Sequence, residues 1–254
     1  MKRIGIIGVG EIGRALVTGL CEGADPSPEV FLSPRGTRAT VELSARYPGA
    51  QACVDNQEVV DRSEVLILAV RREDRHAALA GLRVDDDKTV VNVMAGVTND
   101  DLRQLLGTHA PLVRAIPLPT VRDRRSVTVT WPSHPVVNSL FEQLGGAHPV
   151  TDEAAFNVFS ALTGTLTTHY AYLDTLASWA VRHGIPSEGA DSYVRSLFQG
   201  VGRSLGDESH SLHQLAANHE TPKGNNERVR TTWFTAANSE ALYETLEDLL
   251  GDLN

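Results

Sequence analysis

Apolar side chains along this chain follow two rhythms, and the change between them falls near residue 150. In the first half, short apolar runs alternate with amphipathic stretches. Ile4, Ile6 and Ile7 form a run rich in β-branched side chains, the composition of a strand buried on both faces of a parallel sheet. Residues 29–33 (EVFLS), 63–70 (SEVLILAV), 88–97 (KTVVNVMAGV, a strand with its exit loop) and 111–118 (PLVRAIPL) read as further strands. Residues 12–20, 39–47, 71–82 and 134–145 place apolar positions at helical spacing. Residues 126–131 (SVTVTW) alternate as an edge or near-edge strand does, and 146–150 form a last short strand. This alternation predicts an α/β fold with a doubly wound parallel sheet.

From Thr151 onward no strand signal appears. Residues 151–184 carry helical spacing throughout, opened by a capping signal at Thr151. Pro186 introduces a second helix, and residues 211–220 and 238–250 supply more around a loop, ETPKGNN, at 220–226. The expected domains are therefore 1–150, a nucleotide-binding α/β domain, and 151–254, an all-helical one. Long apolar stripes on a small helical domain predict burial against a second copy, hence a homodimer or a higher oligomer of dimers.

Composition narrows the partners. A formal net charge of −9 over 254 residues argues against nucleic acid or an anionic membrane. No apolar stretch is long enough to span a bilayer, and the opening MKRIGIIGVG reads as folded strand, not as a secretory leader. Cys21 and Cys53 sit in helix and strand contexts and are expected to be reduced, buried thiols of a cytoplasmic protein.

The first strand runs into Gly8, Gly10 and Gly13, in G-x-G-x-x-G spacing, and then into a helix. In this setting the first glycine allows a tight turn, the second admits a pyrophosphate against the backbone, and the third lets helix and strand approach. The first-turn amides at Glu11 and Ile12 would face the phosphates, with the helix dipole adding attraction. The motif predicts a Rossmann dinucleotide site. A site for NAD would carry an Asp or Glu at the end of the second strand. This chain reads Ser33-Pro34-Arg35-Gly36-Thr37-Arg38 there, and Ser33, Arg35 and Arg38 suit the 2′-phosphate of NADPH. The competing reading leaves Arg38 a solvated residue of a helix start.

Over nearly its whole length the chain resembles the pyrroline-5-carboxylate reductase family. GIIGVGEIGRALVTGL looks like the family's opening, and VLILAV, at 65–70, like the strand before the nicotinamide half. VMAGVTNDDL is similar to its A-A-G-[IV] turn, and VRAIPLPTV to its R-x-M-P-N-T-P segment. The resemblance thus implies cofactor contacts at Ala69, Val70, Ala95, Gly96 and Pro117. FSALTGTLTTHYAYL falls where the family has T-A-L-S-G-S-G-P-A-Y, and ETPKGNNE where it has T-S-P-G-G-T-T. In that second segment Thr221, Lys223, Asn225 and Asn226 replace the family's Ser, first Gly and two Thr, and Leu118 replaces the Asn of M-P-N. The resemblance implies an NADPH-dependent reductase of a C=N bond in a small, cyclic imine, with a substrate half that departs from the family pattern.

Imine reduction is helped by a proton donor at the nitrogen, because the iminium is the better electrophile. His169, Thr163 and Asn226 are the candidate catalytic residues, and Lys223, Gly224, Asn225 and Thr167 the candidate substrate contacts. Tyr170 and Asp174 also fall in the altered segment. A histidine suits proton transfer near neutrality as a residue type; the competing reading makes His169 an interface side chain. Lys223 would pair with a substrate carboxylate, or else stand solvated on its loop. His210 and His213 lack a completed ligand set, so no metal is expected. Two other enzyme classes compete. A β-hydroxyacid dehydrogenase would need a lysine in residues 164–173, which have none. Deazaflavin-dependent NADP reductases resemble the first half alone. A non-catalytic, NADPH-binding regulatory protein is the third alternative.

Overall fold

The structure, a computed structural model, describes residues 3–24, 26, 28–34 and 37–253. Arg35 lies outside them. Among the described residues eight strands form one sheet: β1 (Ile4–Ile7), β2 (Val30–Leu32), β3 (Ala50–Ala52), β4 (Val65–Leu68), β5 (Thr89–Asn92), β6 (Leu112–Ile116), β7 (Thr128–Trp131) and β8 (Ala147–Pro149), in the order β3-β2-β1-β4-β5-β6-β7-β8. The first six are parallel. β7 runs antiparallel to β6, and β8 parallel to β7. The alternating TVTW segment is thus a near-edge strand, and it departs from the parallel pattern because the short 3-10 turn Pro119–Asp123, with its flanking loop, replaces a crossover helix before it.

Helices cover both faces: α1 (Glu11–Cys21), α2 (Thr37–Arg46), α3 (Asn56–Arg62), α4 (Arg75–Leu79), α5 (Asn99–Leu106) and α6 (Pro135–Glu142). Successive strand residues feed opposite cores, as the pleat requires. Ile4, Ile6, Val65 and Ile67 join Leu16, Val17 and Leu20 of α1 and Phe141 of α6 on one face. Ile7, Leu66 and Leu68 join Val59, Leu79 and Leu102 on the other.

Three elements escape the periodicity because they are short. β3 is three residues long. α3 is announced only by Asp55, whose carboxylate accepts from the Glu58 amide. α5 is opened by a reciprocal capping box between Thr98 and Asp101 and closed at Gly107, which takes the left-handed conformation. Cys21 and Cys53 are buried free thiols, and burial pushes the Cys21 thiol up to about 11 against the opposing pull of Arg124.

After β8 the described chain is helical: α7 (Glu153–Thr163), α8 (Leu166–Arg182), α9 (Ser187–Ser204), α10 (Leu212–Asn218), α11 (Asn225–Trp233) and α12 (Ala236–Leu253). Residues 151–184 therefore make two helices, interrupted at Gly164 and Thr165, and not one. The cap of α7 is Asp152, whose carboxylate accepts from the Ala155 amide, while the Thr151 hydroxyl donates to that same carboxylate. The predicted loop at 220–226 yields its last two residues to α11. Two compact units result, Met1–Phe159 and Ser160–Asn254, and the division falls within α7. No helix among the described residues is long and apolar enough to cross a membrane.

Candidate functional site

The turn from β1 to α1 is shaped by its glycines. Gly8 adopts φ +102°, and a Cβ there would lie 2.5 Å from the Ala69 carbonyl. A Cβ on Gly13 would lie 2.2 Å from the Gly8 oxygen. Both sites exclude any side chain, because the obstacle is backbone that cannot yield. Gly10 differs. Among the described residues a Cβ there would meet nothing within 4 Å, and Gly10 caps α1 without any side-chain hydrogen bond. Among the described residues no side chain caps the opening amides of α1, the arrangement that receives a phosphate. Ile12 packs partly buried against the core, and the exposed Glu11 carboxylate lies 3.7 Å from Arg122.

At the tip of β2, Ser33 is 1% exposed. Its hydroxyl accepts from the Gly8 amide at 3.1 Å, and its carbonyl accepts from the Thr40 hydroxyl at 3.0 Å. Ser33 therefore ties the β2 tip to the glycine turn, a fixed position that sequence spacing alone does not reveal. The Arg38 side chain is 94% exposed and 3.8 Å from Glu42.

A cleft of about 260 Å³ opens at the carboxyl ends of β1 and β4, the switch point where open α/β sheets receive ligands. Gly8, Gly10, Ser33, Ala69 and Val70 line it together. Asn56, Arg71 and Asp74 line it as well and were not anticipated. The Asn56 amide donates to the Ala78 carbonyl at 2.9 Å, while its Oδ1 is buried with no partner among the described residues, an acceptor that a ligand hydroxyl would satisfy. The one sequence signal for Asn56 was the capping Asp55 before it. Arg71 is held by Asp74, its Nε donating at 2.9 Å. Ala95, Gly96 and Pro117 follow β5 and β6 at the same edge of the sheet, outside the lining of this cleft. Gly96 takes φ +66° and lies against the Arg72 guanidinium.

The candidate substrate residues belong to the helical unit. Thr163, at the end of α7, donates its hydroxyl to the Ser160 carbonyl at 2.7 Å. Thr167 and His169 are exposed on the first turns of α8. The His169 ring meets Phe198 edge-on at 6.1 Å, in a cluster where Tyr172 also contacts Phe198 and stacks on Trp233 at 5.5 Å. Lys223 adopts φ +63°, and its amide donates to the Glu227 carboxylate. Gly224 has no room for a Cβ, which would stand 2.8 Å from the Thr221 oxygen. Asn225 and Asn226 open α11, with the Asn226 amide donating to the His219 carbonyl at 2.7 Å. No hydrogen bond joins the α8 residues to the α11 turn among the described residues. Among those residues no group of three His, Cys, Asp or Glu side chains could hold a metal ion.

Comparison with known proteins agrees with this architecture. Residues 3–96 match the family described as NADP oxidoreductase coenzyme F420-dependent, and residues 153–249 match pyrroline-5-carboxylate reductase dimerisation. Pyrroline-5-carboxylate reductase 2 of Bacillus subtilis is 22% identical over 98% of this chain and 92% of its own. The crystal structure of 1-pyrroline-5-carboxylate reductase from Streptococcus pyogenes superposes with a TM-score of 0.79 at 22% identity, covering 98% of both chains. The Plasmodium falciparum pyrroline carboxylate reductase, solved with NADP bound, gives 0.78 at 16% identity over 99% of this chain and 97% of its own. The helical unit thus matches a pyrroline-5-carboxylate reductase dimerisation domain, and along its whole length the chain is similar, at low identity, to pyrroline-5-carboxylate reductases.

Proposed function

We propose that this protein reduces the C=N bond of a small, cyclic imine with NADPH. The carrying observation is the cleft at Gly8–Gly10, where the unblocked amides of α1 meet a β2 tip that bears the buried Ser33 hydroxyl in place of a carboxylate. Residues at this cleft fit a dinucleotide: a cradle that a Gly10 side chain would fill, and the orphaned Asn56 acceptor. NADPH, when bound, supplies the hydride that goes to the imine carbon, while the nitrogen takes a proton. The chain's own residues bind and orient. The α1 amides take the pyrophosphate, Ser33, Arg35 and Arg38 the 2′-phosphate. A His169 ring nitrogen gives the proton. The Thr163 hydroxyl, already donating to Ser160, serves as an acceptor for the iminium N–H. Asn226 keeps one amide hydrogen and its Oδ1 free of the His219 bond. Thr167, Lys223, Gly224 and Asn225 complete the substrate contacts.

Two assays test this reading. Purified protein is expected to oxidise NADPH in the presence of pyrroline-5-carboxylate or of the uncharged ring 1-pyrroline. Turnover of the carboxylate alone assigns Lys223 and the two asparagines to its anion, turnover of 1-pyrroline alone assigns them to a neutral ring, and NADPH binding with silence on both refutes catalysis on this substrate class. Second, Arg35→Ala is expected to weaken NADPH about tenfold or more, with NADH little changed, since one charge-assisted hydrogen bond contributes about 1.5–3 kcal/mol. An unaltered NADPH-to-NADH affinity ratio refutes the role of Arg35.

We infer a homodimer from the same family match and from aromatic side chains left open on the helical unit, with Tyr170, Trp179 and Tyr193 exposed by 70%, 62% and 72%. Sedimentation equilibrium is expected to give twice the chain mass; a monomer at micromolar concentration would contradict it.

A further inference from the structure

At the edge of the sheet opposite the cofactor cleft, two cavities adjoin. One, of about 310 Å³, is strongly polar and is lined by Arg3, Glu64, Asp87, Lys88 and Thr89. The other, of about 350 Å³, is apolar and is lined by Ile4, Leu20, Val65, Val136 and Leu140. Val65 and Val136 belong to both walls. Ile4, Val65 and Thr89 are the first residues of β1, β4 and β5, so the pair sits at the amino ends of the parallel strands. Ligands of open α/β sheets gather at the carboxyl ends. Nothing in the reductase reading uses this edge.

Lys88 is the unusual group here. It is only 8% exposed, and its ammonium donates to one acceptor, the Ser63 carbonyl at 2.8 Å. No ion pair forms to it among the described residues. A lysine is almost never buried without a charge partner, because desolvating an ammonium is costly, and two of its three donors remain unused. A buried cation with spare donors at a polar cavity calls for an anion. On the same wall Arg3 is paired with Glu64 at 4.0 Å, so the anion meets Lys88 with the Asp87 carboxylate beside it, which limits the anion to a single charge. The adjoining apolar cavity then accepts whatever the anion carries.

We propose that these cavities bind a small branched aliphatic carboxylate, with its anionic head on the Lys88 ammonium and its apolar body against Leu20, Val136 and Leu140. The site is separate from the cofactor cleft, and its readout is binding, so it stands or falls independently of imine reduction. Isothermal titration of the full chain with 4-methylpentanoate is expected to show one saturable site. The matching alcohol, 4-methylpentan-1-ol, should bind at least about tenfold more weakly, the loss of one charge-assisted contact. Inorganic phosphate should not compete. Lys88→Met should weaken the carboxylate by about the same factor. Ser139, exposed on the rim of the apolar cavity, gives a second variant: Ser139→Phe should block the body of the ligand without disturbing the core. Unchanged circular dichroism and a cooperative melting transition in both variants certify folding, and if Lys88→Met does not fold, Ser139→Phe decides. Absence of saturable carboxylate binding overturns the proposal. So does an affinity indifferent to Ser139→Phe, an alcohol that binds equally well, or phosphate that displaces the acid.

Discussion

Gly10→Leu is expected to abolish NADPH binding while leaving the thermal transition almost where it was. The two halves of this result come from different features of one residue. Gly10 has φ −80° and ψ −157°, an extended conformation open to any L-residue, and its added Cβ would touch no atom of the described residues within 4 Å. Replacing an N-cap glycine by an apolar residue costs about 1 kcal/mol, a shift of only a few degrees for a chain of this size, so the fold tolerates it. The leucine would instead fill the space in front of the α1 amides. Losing two or three charge-assisted hydrogen bonds, each worth about 1.5–3 kcal/mol, amounts to about a thousandfold or more in affinity. Gly13→Ala provides the contrast. Its Cβ would stand 2.2 Å from the Gly8 oxygen, so α1 must leave β1, and both stability and binding should fall. Titration of NADPH by fluorescence, beside a melting curve, separates the cases. If Gly10→Leu still binds NADPH tightly, the pyrophosphate does not lie at this turn.

A large loss of stability is expected from Glu153→Ala. Arg114, on β6, is a buried guanidinium that is 4% exposed at its side chain. It donates to Glu153 at 2.7 Å and to Asn157 at 3.1 Å, one turn apart on α7, and lies 4.4 Å from the Phe156 ring. Removing one partner of a buried pair leaves an uncompensated charge and typically costs about 3–5 kcal/mol. The Glu153 side chain is 40% exposed, and solvent screening reduces the expectation to about 2–3 kcal/mol. For a chain of this size that corresponds to a fall in Tm on the order of 5–10 °C. Adding Arg114→Met should recover much of it, because the charge left stranded is then gone. A Tm for Glu153→Ala within a degree of the parent would reduce the contact to an ordinary surface pair.

Much of the molecule was legible in the order of its residues. VLIL is apolar without interruption, and TVVN has an apolar Val90-Val91 centre, because both faces are covered, and that need is written residue by residue. The glycine turn was legible for a similar reason. Backbone closeness at Gly8 and Gly13 permits one residue type, so the constraint appears directly as spacing. Short elements were less visible: β3, α3 and α5 are stabilised by neighbours and caps more than by their own periodicity. The break at Gly164–Thr165 was likewise hidden inside a continuous apolar rhythm.

What the sequence determined by itself is the set of local obligations: which runs must be buried on two faces, where the chain must turn around a glycine, and where one all-helical segment replaces alternation. Tertiary structure decided which distant groups share a space. It brought Asn56 and Arg71 to the glycine cleft, sent the Ser33 hydroxyl to the Gly8 amide, and set Arg114 against Glu153 and Asn157. It also buried Lys88 beside an apolar cavity at the far edge of the sheet. Periodicity records the face on which a residue lies, whereas a site depends on strand order and on the loops that follow each strand, and those are settled only when the whole sheet closes its core.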